Sequence, residues 1–75
     1  MNEEMLLKAS EILKISREEA KKNSKPIPDE GAFYFWNPTR GGLQMIIKDD
    51  GDKLVLGSAF SFEKTLAMFR EGKRN

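Results

Sequence analysis

The chain reads as one α+β domain over residues 1–75, in the order α-β-β-β-α, and three observations predict it. An apolar stripe at helical spacing runs through residues 3–22. From Gly31 to Leu56 the pattern changes to three apolar runs divided by two turn signals. A second, shorter helical stripe follows Ser61. We expect a three-stranded antiparallel meander flanked by an N-terminal and a C-terminal helix.

The first helix is predicted over residues 3–22. Met5, Leu6, Ala9, Ile12, Leu13, Ser16 and Ala20 recur at spacings of three and four, which lays them along one side. Asn2 can cap the start, and Glu3 and Glu4 suit the positive end of the helix dipole. Lys21 and Lys22 suit the other end. Residues 23–30 hold Pro26 and Pro28, which stop the helix and read as a stiff connection.

The strands are predicted at about 32–37, 43–49 and 52–57. Phe33, Tyr34, Phe35 and Trp36 supply four of the seven aromatic residues in one run. Asp49-Asp50-Gly51-Asp52 is a strong hairpin signal. With Asp50-Gly51 as a two-residue loop, Ile47 faces Leu54 and Met45 faces Leu56. That register puts Leu43, Met45, Ile47, Leu54 and Leu56 on one wholly apolar face, taken as the core side. Gln44, Ile46, Lys48, Lys53 and Val55 fall on the other. Phenylalanine has no polar atom to satisfy, so Phe33 and Phe35 are assigned inward, and Tyr34 and Trp36 join Ile46 and Val55 outside.

The last helix is predicted over 61–71. Ser61 caps it, Phe60 is the staple residue before it, and Gly72 ends it. Phe62, Leu66 and Phe69 share one stripe, with Thr65 beside them.

Composition restricts the chemistry. The chain has no cysteine and no histidine, which removes Cys/His zinc sites, cysteine nucleophiles and triads with a histidine base. The 13 basic and 12 acidic residues leave a net charge of +1, which is no electrostatic footprint for nucleic acid. No apolar run is long enough to span a membrane, and the start, Met1-Asn2-Glu3-Glu4, lacks the basic region of a secretion signal. We therefore expect a cytoplasmic protein of bacterial or phage type, without metal or cofactor.

Four features could carry function. The outer face of Tyr34, Trp36, Ile46 and Val55, rimmed by Gln44, Lys48 and Lys53, makes an apolar patch suited to a partner. The structural alternatives are that the first helix covers it, with the last helix on the other face, or that two copies pair through it. The loop Asn37-Pro38-Thr39-Arg40-Gly41-Gly42 offers Arg40 to a carboxylate or phosphate, against a plain hairpin role for its glycines. The Asp49–Asp52 cluster lacks the alternate ligands and closing glutamate of a calcium loop and reads as turn chemistry. Lys64, Arg70, Lys73 and Arg74 could follow a phosphate backbone, or form a solvated helix face and tail. No nucleophile with a base and no defensible carboxylate pair is present.

The α-β-β-β-α order is similar to that of double-stranded RNA-binding domains. That resemblance implies RNA contacts from the first helix, from the loop holding Arg40, and from Lys64 at the opening of the last helix. The string Phe35-Trp36 through Arg40-Gly41-Gly42 to Ser61-Phe62-Glu63 also resembles small bacterial proteins, and implies no activity. The residues favour a non-catalytic protein-interaction module, self-pairing or with another protein, using Tyr34, Trp36, Ile46, Val55 and Arg40. The alternative is a weak RNA or single-strand binder in which aromatics stack and Arg40, Lys48 and Lys53 meet phosphates.

Overall fold

The computed structural model describes residues 2–39 and 41–75. Its elements are α1 (Glu3–Leu13), α2 (Arg17–Lys22), β1 (Ser24–Ile27), β2 (Ala32–Trp36), β3 (Leu43–Lys48), β4 (Lys53–Gly57) and α3 (Phe62–Arg70). The α+β architecture is the expected one. The sheet, however, has four antiparallel strands in the order β1-β2-β3-β4, where three were expected. The extra strand precedes the other three, so the α-β-β-β-α order that suggested an RNA-binding domain does not hold.

The stretch read as a connection is β1, which pairs with β2 so that Pro26 lies opposite Phe33. Proline survives there because β1 is an edge strand. The Trp36 N–H donates to Asn23 O, and strict alternation then turns the missing Pro26 N–H away from the sheet. A short 3-10 turn, Pro28–Glu30, and Gly31 at φ 62° reverse the chain into β2.

The predicted helix over 3–22 is two helices. α1 starts at Asn2, whose side chain accepts from the Met5 N–H at 2.7 Å. It stops at Lys14, which sits at φ 57° and ψ 46°. Ser16 then caps α2 by accepting from the Glu19 N–H at 3.1 Å. Ser16 was placed in the apolar stripe, yet Ser16-Arg17-Glu18-Glu19 has the spacing of a capping box, which starts a new helix. A left-handed non-glycine residue costs about 1–2 kcal/mol. Lys14→Gly is expected to raise stability by about 0.5–1 kcal/mol after glycine's own backbone entropy is charged, visible as a thermal midpoint about 4 °C higher.

The β3–β4 register differs from expectation by one residue. Ile46 faces Leu54 and Met45 faces Val55. The loop has three residues: Lys48 N–H donates to Asp52 O, Gly51 N–H donates to Lys48 O, and Gly51 takes φ 92°. That is a type I turn closed by a left-handed glycine. A one-residue slip moves every side chain of a strand to the other face. Leu54 and Leu56 therefore join Ile46, and Val55 joins Met45 and Ile47.

Both faces of the sheet are covered. Met5, Leu6, Ala9 and Leu13 of α1 and Ala20 of α2 pack on Phe35, Met45 and Ile47, with Phe33 and Val55 alongside. On the other face Phe69 of α3 packs with Ile27, Ala32, Ile46 and Leu54, and Phe62, Leu66, Tyr34 and Leu56 extend the cluster. The last helix, not the first, lies on the Tyr34 side. Among the described residues no helix is long and apolar enough to cross a membrane.

Candidate functional site

On the sheet face beneath α3, aromatic residues gather where β1, β2 and the start of α3 meet. Tyr34 and Trp36 point to the same side of β2, with ring centroids 5.4 Å apart and planes 26° from parallel. Phe62, in the first turn of α3, lies 4.6 Å from Tyr34. Lys25, opposite Tyr34 on β1, holds its Nζ 4.7 Å from the Phe62 ring centre. Phe60 is exposed, and Lys64 Nζ lies 6.0 Å from its ring centre. Ser61 sets the start of α3 by accepting from the Lys64 N–H.

Gln44 is the centre of this corner. It is buried, and every hydrogen bond its amide makes goes to a different element. Its Oε1 accepts from the Tyr34 hydroxyl at 3.0 Å and from the Thr65 hydroxyl at 2.9 Å. Its Nε2 donates to Gly57 O at 2.8 Å and to Phe60 O at 2.7 Å. One side chain thus ties β2, the end of β4, the β4–α3 loop and α3 together. Gln44 was expected at the rim of a patch. Its role was hidden because a lone glutamine in a strand carries no signal of which carbonyls will approach it.

The five residues proposed from sequence are not brought together. Tyr34 and Trp36 are partly exposed at the corner. Ile46 is fully buried under α3, so it supports the corner from below and offers no contact surface. Val55 lies on the opposite face, against the α1 cluster, because of the register change. Arg40 lies outside the described residues. Phe60, Phe62 and Lys25 complete the corner. Sequence marks the first two only as helix-start and core residues, since the nearness of Phe62 to Tyr34 and the bond from Gln44 to Phe60 O depend on where α3 docks.

The other candidates have structural partners. Asn37 donates its amide to Leu13 O at 2.8 Å and accepts from the Thr39 N–H at 2.8 Å, which seats the loop against the end of α1. Asp50 accepts from the Asp52 N–H, and Asp52 accepts from Arg74 Nε at 2.7 Å. Arg70 pairs with Asp29 and Glu30. Among the described residues no group of three or more acidic side chains is placed to hold a metal ion.

Burial raises the pKa of Tyr34 above 10.0. The folded state therefore favours the neutral phenol. Its contribution to stability is complete below 10.0 and is lost as the pH rises through the higher folded value. Tyr34 is the single tyrosine, so the absorbance of tyrosinate reports it alone. A titration midpoint above that of the unfolded chain is expected, with a fall in thermal stability beginning in the same range. Coincident midpoints for folded and unfolded chain would show a freely hydrated hydroxyl.

These features define a small α+β protein with an aromatic corner, hydrogen-bonded around Gln44, on one face of a doubly covered sheet. No protein-family model matches the chain, and no curated protein or solved structure matches it either.

Proposed function

We propose that the chain is a non-catalytic protein-interaction module that grips a protein partner through Trp36 and Tyr34. The observation that carries this reading is the mounting of Trp36. It is partly exposed, stacked on Tyr34, and fixed on an inner strand beside the satisfied amide of Gln44. A large aromatic surface held rigid loses little conformational entropy on binding, which is why tryptophan and tyrosine anchor interfaces. Phe60 and Phe62 widen the apolar surface, and Lys25 and Lys64 give it a basic rim suited to an acidic partner segment.

Trp36→Ala should cost about 1–2 kcal/mol of stability, as for other partly exposed aromatics here, keep the fold at 25 °C and lower partner capture at least tenfold. In the wild type, the emission of this single tryptophan should shift to the blue on binding. Capture that is unchanged by Trp36→Ala in a folded protein would overturn the proposal.

Stacked Tyr34 and Trp36 with Lys25 over Phe62 also suit a short single strand of nucleic acid, in which bases stack and phosphates meet the lysines. That reading requires oligonucleotide affinity that falls steeply with added salt. Absence of binding at low salt removes it.

A further inference from the structure

We propose that the outer edge of β4 is a strand-docking site for a second copy of this chain, held shut by Arg74 and Asn75. The inference is independent of the aromatic corner. The Lys48 N–H to Asp52 O bond fixes the phase of the β3–β4 ladder, so Lys53, Val55 and Gly57 turn their backbone groups away from the sheet. Such an edge is a template for another strand.

Here the template is occupied by an imitation of one. The Asn75 carboxamide accepts from the Val55 N–H at 2.8 Å and donates to Val55 O at 2.8 Å. This two-bond exchange is what a residue of a neighbouring antiparallel strand would make. The Asn75 N–H also donates to Lys53 O at 3.2 Å, as a further rung would. Arg74 locks the imitation in place. Its guanidinium lies 3.7 Å from the Phe69 ring centre, meets Asp52 at 2.7 Å and donates to Phe69 O.

The occupant follows from the sequence of the edge. A two-fold axis through Val55 sets Val55 against Val55 of the second copy, Lys53 against Gly57, and Leu54 against Leu56. Apolar residues then meet apolar residues, and no like charges face each other. The product would be one sheet of eight strands. Pairing requires the Asn75 amide to leave, so the tail sets the equilibrium.

Sedimentation of the full chain over a wide concentration range, with amide exchange read at Val55, tests this. In dilute wild type the Val55 amide should be protected. Asn75→Ala should leave it free when dilute, protect it again at high concentration, and dimerise at least tenfold more tightly than wild type. Arg74→Ala/Asn75→Ala should go further, and the single variant, which keeps Arg74 on Phe69, guards against a folding defect in the double. Variants that stay monomeric, that dimerise with a free Val55 amide, or that associate no better than wild type would overturn the proposal.

Discussion

Phe35→Ala is expected to cost about 3–5 kcal/mol and to leave a large fraction of the chain unfolded at 37 °C. The ring is fully buried between the sheet and α1. Removing it takes away the transfer free energy of the ring and leaves a cavity that backbone on an inner strand cannot close. Stability runs at roughly 0.05–0.15 kcal/mol per residue, which for this length is about 4–11 kcal/mol, and no disulfide supplements it. One side chain is thus a large part of the margin. Phe33 is the control. It lies two residues earlier on the same face, 6.5 Å from Phe35, but remains partly exposed beside the cluster. Phe33→Ala should cost about 1–2 kcal/mol, because the unfolded chain regains less by exposing it. Urea unfolding followed by Trp36 fluorescence measures both. Equal costs for the two positions would show that the α1 face is less tightly packed than its geometry states.

The burial of Phe35, with Phe33 on the same face, was legible in the sequence because phenylalanine has nothing to hydrogen-bond. The stripe of Met5, Leu6, Ala9 and Leu13 and the Ser61 cap were legible because helical spacing and capping are local. The register of β4 was not. Asp49-Asp50-Gly51 accommodates a two-residue or a three-residue loop with the same glycine; Asp50-Gly51 matches the two-residue signal, and a wholly apolar face as the criterion of a core side agrees with it. That criterion fails when helices cover both faces, since each side of the strand then carries apolar residues. Met45 facing Val55 and Ile46 facing Leu54 satisfy both layers at once. β1 was missed for a related reason. Two prolines within three residues argue against a ladder, yet only one side of an edge strand needs its N–H groups. The candidate site inherited both errors: Val55 was assigned to the wrong layer, and Lys25, opposite Tyr34 on β1, was left out.

Gln44 is where the fold and the proposed binding corner depend on the same atoms. Gln44→Leu keeps the volume and removes the amide. The Tyr34 hydroxyl loses its acceptor, and Gly57 O and Phe60 O lose their donor, while Thr65 keeps its bond to Ser61 O. Leaving such groups without partners is expected to cost about 2–3 kcal/mol. Gln44→Glu should cost more at pH 7, about 3–5 kcal/mol, because it buries a charge and turns an acceptor toward two carbonyl oxygens. Its penalty should shrink on acidification. The folded state resists ionising this carboxyl, so its pKa there rises above the ordinary value of about 4.3, and the protonated form can again donate to one carbonyl. The gap between Gln44→Glu and wild type should therefore narrow from pH 7 toward pH 4, whereas the gap for Gln44→Leu should stay constant. A double-mutant cycle with Tyr34→Phe should be strongly non-additive, since both changes remove the same hydrogen bond. Amide exchange in Gly57–Ser61 supplies the link to binding. If Gln44 fixes Phe60 and the start of α3 beside Trp36, the loop must open faster in Gln44→Leu, and the corner must lose affinity even under conditions where the protein is fully folded. Unchanged exchange in that loop would separate the stability of the sheet from the rigidity of the corner.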